Sequence, residues 1–127
     1  MKKLVFLILI CISCKKNQSD SKQLVDIIYE IQTSVAGFME VKYLEYKSYE
    51  LGTRSTDWDI PAPGTYDKTV KIPKNTLCEI FANHATSNSW KLFIKSAGGT
   101  ILKETTTIDH FTGPPSYYHA RLQMEAQ

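Results

Sequence analysis

From residue 24 onward the chain is a succession of short stretches in which apolar and polar residues alternate, separated by glycine and proline. That rhythm limits what it can fold into. Successive side chains of a strand point to opposite faces, so a two-residue period makes one buried and one wet face, whereas a helix needs a period near 3.6. Val25, Ile27, Tyr29 and Ile31 alternate with Asp26, Ile28, Glu30 and Gln32. Leu24, Ile27, Ile28 and Ile31 also fit a helical stripe, but the richness in β-branched residues favours a strand. Met39, Val41 and Tyr43 then alternate with Glu40, Lys42 and Leu44, and the polar stretch KSYELGTRSTDW, residues 47–58, reads as a loop.

Ile60-Pro61-Ala62-Pro63-Gly64 cannot lie in a central strand, because its two prolines lack the ladder donor. It is expected to run extended along an edge or to cross between layers. TYDKTVKI and TLCEIFAN follow, joined so closely at Pro73-Lys74-Asn75 that a hairpin or tight corner must form there. SWKLFIK places Trp90, Leu92 and Ile94 on one face, and Ser96-Ala97-Gly98-Gly99 supplies a hairpin turn before TILKETTT. After Gly113-Pro114-Pro115 comes SYYHARLQM, with Tyr118, Ala120, Leu122 and Met124 on one side. Seven short strands and no strongly helical segment predict an all-β domain over residues 24–127, an antiparallel immunoglobulin-like β-sandwich.

The segment ahead of this domain has a different character. MKKLVFLILICIS carries a positive start, Lys2 and Lys3, and nine apolar residues from Leu4 to Ile12, the layout of a secretory signal peptide. Nine residues fall well short of the roughly 20 that a membrane-spanning helix needs. Ile12-Ser13-Cys14-Lys15-Lys16 resembles the bacterial lipobox, with Cys11 where that pattern usually has Leu. The resemblance implies cleavage after residue 13 and attachment of acyl chains of the palmitate kind to Cys14. Residues 14–23, with the polar run KKNQSDSKQ, then serve as a flexible tether. The Cys11–Cys14 pair could instead be a redox or metal motif, but cleavage would separate its members. With no Asp after Cys14, the resemblance implies a lipoprotein of the cell envelope, in the outer membrane and facing the periplasm.

Loss of residues 1–13 removes two lysines and leaves 13 basic against 13 acidic residues, so the precursor charge of +2 becomes zero. No basic stripe remains of the kind that nucleic acid attracts. Cys14 and Cys78 are then the only cysteines, and acylation of Cys14 leaves no intramolecular disulfide. Stability must come from an apolar core, for which about a hundred residues suffice in one domain.

Tyr29-Glu30-Ile31, Thr69-Val70-Lys71-Ile72-Pro73 and the run Ile94–Leu102 resemble parts of the pattern of the MmpS-type small mycobacterial membrane proteins and their Bacteroidetes-type lipoprotein relatives. The resemblance implies a compact β-sandwich at the periplasmic face of a membrane, in the mycobacterial members as an accessory to a lipid or siderophore exporter. It supplies no catalytic residues. This chain lacks their transmembrane helix and paired domain cysteines, and has Ala97-Gly98-Gly99 in place of their Asp-Gly hairpin.

No recognised catalytic motif stands out. Cys78 shares a face with Ile80 and Ala82 and reads as a core residue, and His84, His110 and His119 follow no zinc-ligand spacing. Nothing in the pattern asks for a cofactor or a metal. Aromatic residues are the surplus: Tyr43 and Tyr118 fall on apolar faces, while Tyr46, Tyr49 and Trp58 lie in or beside the long polar stretch and are the candidate partner-binding residues. Two function classes follow. One is a lipid-anchored, non-catalytic sandwich that binds an envelope protein or transport complex; the other is a small envelope enzyme or enzyme inhibitor using Cys78 or the histidines.

Overall fold

The computed structural model describes residues 22–127; the expected leader, Cys14 and the tether up to residue 21 lie outside the described residues. Within that range are β1 (Leu24–Thr33), β2 (Phe38–Ser48), β3 (Gly52–Asp57), β4 (Gly64–Pro73), β5 (Leu77–His84), β6 (Trp90–Ser96), β7 (Ile101–Glu104), β8 (Asp109–Phe111) and β9 (Tyr117–Glu125), and no helix. They form two sheets, ordered β4-β1-β6-β7 and β3-β2-β5-β9-β8, with every pairing antiparallel. The β-sandwich expected from the alternation is the fold that forms.

β1 is a strand over its whole length. It pairs with β4 from Leu24 to Thr33 and with β6 from Ile27 to Thr33, so backbone groups on both of its edges are satisfied. Ile27, Tyr29 and Ile31 point inward and are buried, whereas the helical stripe would have put Ile28 inside as well; it is half-buried on the outer face. Facing them from the same sheet are Val70, Ile72, Leu92 and Ile94, and from the other sheet Val41, Tyr43, Ile80 and Leu122. Alternation therefore predicts the core nearly residue by residue.

The expected seven strands become nine. Residues 52–57, read as loop, form β3, which pairs along β2 at the edge of the sheet. Neither face of β3 is buried, so Gly-Thr-Arg-Ser-Thr-Asp carries no apolar period, and its polar composition is what an unprotected edge tolerates. β8 is three exposed residues pairing with the start of β9. TILKETTT is strand only as far as Glu104. Thr105 then turns in, its N–H donating to Leu92 O at 3.0 Å and its Oγ1 accepting from Leu92 N–H at 3.1 Å.

The connections settle two alternatives. Residues 58–63 cross from the edge of one sheet to the edge of the other, with Ile60 buried between them. Pro73-Lys74-Asn75-Thr76 is a corner between sheets, not a hairpin; Asn75 takes φ 61°, and its N–H donates to Ala126 O at 2.7 Å. The β6–β7 turn is the expected hairpin. Gly99 adopts φ 84°, which costs glycine nothing, and its N–H bonds Ser96 O at 2.9 Å.

His84 pins the loops at one end of the sandwich. Its Nε2–H donates to Ala36 O at 2.7 Å, while Nδ1 accepts from the N–H groups of Thr86 and Ser87, each at 3.1 Å. That pattern assigns the neutral imidazole a fixed tautomer and leaves neither nitrogen free.

Candidate functional site

The outer face of the five-stranded sheet carries a lateral row set by register. Glu40 on β2 faces Asn83 on β5, Asn83 faces His119 on β9, and His119 faces Asp109 on β8. Carboxylate, amide, imidazole and carboxylate thus lie side by side across four strands. A second row follows two residues on, with Lys42, Phe81 and Arg121 in register. Arg121 lies 5.3 Å from the Phe81 ring centre and 3.5 Å from a Glu79 oxygen, which holds the guanidinium over the sheet. On the other flank Tyr117 meets Phe111 at 5.1 Å between ring centres and His119 at 5.5 Å.

Glu40, Phe81, Asn83, Asp109, Tyr117, His119 and Arg121 line an open pocket of about 600 Å³. Inside this group is an unmet demand. Asn83 Oδ1 is buried and has no hydrogen-bond partner, the one such side-chain atom among the described residues. A buried carbonyl oxygen without a donor costs about 1–3 kcal/mol. Glu40 also borders a second cavity of about 580 Å³, together with Phe38, Met39, Lys42, Asp57 and Trp58. The Lys42 ammonium pairs with Glu40 and lies 3.8 Å from Asp57; the Glu40 carboxylate holds it above the usual lysine range.

Of the three aromatic candidates, only Trp58 reaches this region. Its ring packs edge-on against Tyr43 at 5.8 Å, and the Trp58 backbone N–H donates to Val41 O at 2.8 Å. Tyr49 lies in the β2–β3 turn, at the opposite end of that hairpin, and is 77% exposed. Tyr46 is half-buried next to the same turn. The structure therefore does not bring Tyr46, Tyr49 and Trp58 together. Asn83, Arg121 and Glu40 carry no sequence signal of their own, because what unites them is cross-strand register.

The cysteine is placed for packing. Cys78 is fully buried, its thiol donates to Met124 O at 3.1 Å, and burial pushes its pKa up to about 11. It lies six residues from His84 along β5, about 20 Å at strand spacing. His110 stacks on Tyr118 with ring centres 4.3 Å apart, and His119 belongs to the outer face. Among the described residues no three His, Cys, Asp or Glu side chains converge as metal ligands. The backbones of Glu40 and Asp109 are three strands apart, about 14 Å, beyond the carboxyl separations that glycoside hydrolysis uses.

Gly113 leaves room for the Phe111 ring on the flank of the site. A Cβ there would stand 2.5 Å from Cε1 and 2.7 Å from Cζ of Phe111, whose ring lies across the glycine. We expect Gly113→Ala to swing that ring off Tyr117, costing only about 1 kcal/mol because Phe111 is half-exposed. Loss of the mutual ring-current shifts of Phe111 and Tyr117 in NMR spectra would report it; unchanged shifts would mean that the backbone gives way instead.

Compared with protein-family models, with curated proteins and with solved structures, the chain matches none.

Proposed function

We propose that this chain is a lipid-anchored, non-catalytic binding protein of the cell envelope, tethered through acyl chains on Cys14 in the outer membrane facing the periplasm. On this reading it captures an envelope protein or transport complex through the outer face of the β3-β2-β5-β9-β8 sheet. The observation that carries the reading is the open pocket on that face, lined by Phe81, Tyr117, His119 and Arg121 between the Glu40 and Asp109 carboxylates. Aromatic rings and arginine are the groups that interfaces use most, offering large contact area with little ordering cost. The apolar run before Cys14 supports the anchor, and the likeness to MmpS-type proteins supports an accessory role beside an exporter. A buried, protonated thiol bonded to a carbonyl does not favour the enzyme reading.

The test is crosslinking in cells followed by mass spectrometry of what is captured. Capture should require Cys14 and should fall at least tenfold in Asn83→Ala/Arg121→Ala, both on the solvent side of the sheet, with the unfolding midpoint little changed. Full capture by a folded double variant would move the partner surface elsewhere. Capture that persists in Cys14→Ser would remove the anchor from the reading.

A further inference from the structure

Large apolar side chains are exposed unevenly over this domain. Eight are exposed among the described residues; four of them, Leu24, Tyr49, Leu51 and Leu77, lie at one end of the sandwich, while Ile101 and Leu102 lie just past the β6–β7 turn, level with the middle of β1. Register places them there. Leu24 opens β1 opposite Pro73, the last residue of β4, and Leu77 follows the corner that leaves Pro73. β2 runs antiparallel to β5 with Tyr43 opposite Ile80, so the β2–β3 turn bearing Tyr49 and Leu51 projects past Leu77. Ile101 pairs with Lys95 beside the β6–β7 turn, and Lys95 pairs with Ile28, so Ile101 stands four residues in from Leu24 along β1. Met39 and Phe111 lie near the start of β2 and at the end of β8, toward the far end.

We infer that this end of the sandwich docks on a lipid bilayer. The inference rests on the reading of Cys14 as the lipidated residue. Nine residues, 15–23, separate Cys14 from Leu24, and nine residues span at most about 32 Å when fully extended. The tether joins the domain at Leu24, the first residue of β1, so this is the end through which the anchor holds it. Singly exposed leucines are ordinary, but Leu24, Tyr49, Leu51 and Leu77 together give the end where the anchor enters an apolar character. Lys22 and Lys74 on this end are balanced by Glu50 and Glu125, so the contact is apolar and does not require anionic lipid. Acyl chains plus an apolar surface are two membrane signals acting together, and the pair fixes the domain's orientation as well as its location.

The experiment uses the full lipidated protein in phosphatidylcholine vesicles containing brominated acyl chains, with an environment-sensitive fluorophore on an introduced cysteine; Cys78 is buried. Labels at Leu51→Cys and Leu24→Cys should be quenched at least threefold more than one at Phe111→Cys. With the label at Leu24→Cys, adding Leu51→Glu/Leu77→Glu should abolish the difference while vesicle association persists. Equal, weak quenching at both ends of a vesicle-bound protein overturns docking and leaves the anchor intact. Vesicle association that is the same in Cys14→Ser removes the anchor, and the inference falls with it. Self-quenching of the Leu51→Cys label in the absence of vesicles would show that a second copy covers this end, and would also overturn it.

Discussion

Replacing Tyr29 by Ala is expected to destabilise the domain by about 4 kcal/mol, and replacing it by Phe by about 1–2 kcal/mol. Tyr29 is wholly buried on the inner face of β1, with its ring 5.7 Å from that of Tyr43 on the opposite sheet. Its hydroxyl accepts the N–H of Glu79 at 3.1 Å. That donor needs it, because pairing of β2 with β5 stops at Ile80 and leaves the next amide of β5 without a strand partner there. Burial drives the Tyr29 pKa well upward, so the hydroxyl stays neutral at any pH the fold survives. Alanine removes a large side chain and its cross-sheet contacts, whereas phenylalanine removes only the acceptor. Small domains have about 5–15 kcal/mol in all, so the alanine change takes a large share. Urea unfolding followed by tryptophan fluorescence measures both. A phenylalanine variant as stable as the parent would mean that water reaches Glu79 N–H.

Tyr29 also shows where sequence reading succeeds and where it stops. Its inward direction is legible from alternation alone, since Ile27 and Ile31 flank it at two-residue spacing. Its hydrogen bond to Glu79 is not, because that partner is fifty residues away on the other sheet. The same division runs through the fold. Strands with one buried face announce themselves by period, as β1, β5 and β9 do. β3 and β8 bury neither face, so nothing in Gly52–Asp57 or Asp109–Phe111 sets them apart from loop.

For the candidate site the limit is sharper. Glu40, Asn83, His119 and Asp109 are separated by 43, 36 and 10 positions along the chain, yet three strand pairings set them in one row. Outward positions carry no apolar constraint, so their identity follows from what they meet in space. Tyr46, Tyr49 and Trp58 illustrate the converse. They are close in sequence, but a hairpin sends Tyr49 to its tip and returns Trp58 to its base, beside Val41.

The other large effect is expected at Glu30, the buried carboxylate on the outer face of β1. Its Oε2 accepts from the Lys95 ammonium and its Oε1 from Gln32 Nε2 at 2.7 Å, while Phe93 lies across from it and shields the pair. Lys95 Nζ also sits 5.5 Å from the Phe93 ring centre. Removing one partner of a buried pair costs about 3–5 kcal/mol; Lys95 keeps some solvent, so about 2–3 kcal/mol is expected for Glu30→Ala. The acid limb of stability should follow the same contacts. Burial raises the Glu30 pKa, but the hydrogen bonds from Lys95 and Gln32 and the lysine charge outweigh it, and the net position is below the ordinary 4.5. A carboxylate with a depressed folded pKa contributes stability above its unfolded value and loses it as pH falls through the folded one. Asp67, opposite Glu30 in the β1–β4 register, is shifted the other way, by burial and by the neighbouring Glu30 carboxylate. Its contribution is therefore present below its ordinary 3.8 and is lost as pH rises through the folded value. The two partly cancel around pH 4. Asp67→Asn removes the opposing member, so it should raise stability at pH 7 and steepen the decline on acidification, while Glu30→Gln should flatten it. Thermal melts of the three proteins between pH 3 and pH 7 decide the matter: an acid limb in Glu30→Gln as steep as the parent's would show that other carboxylates govern it.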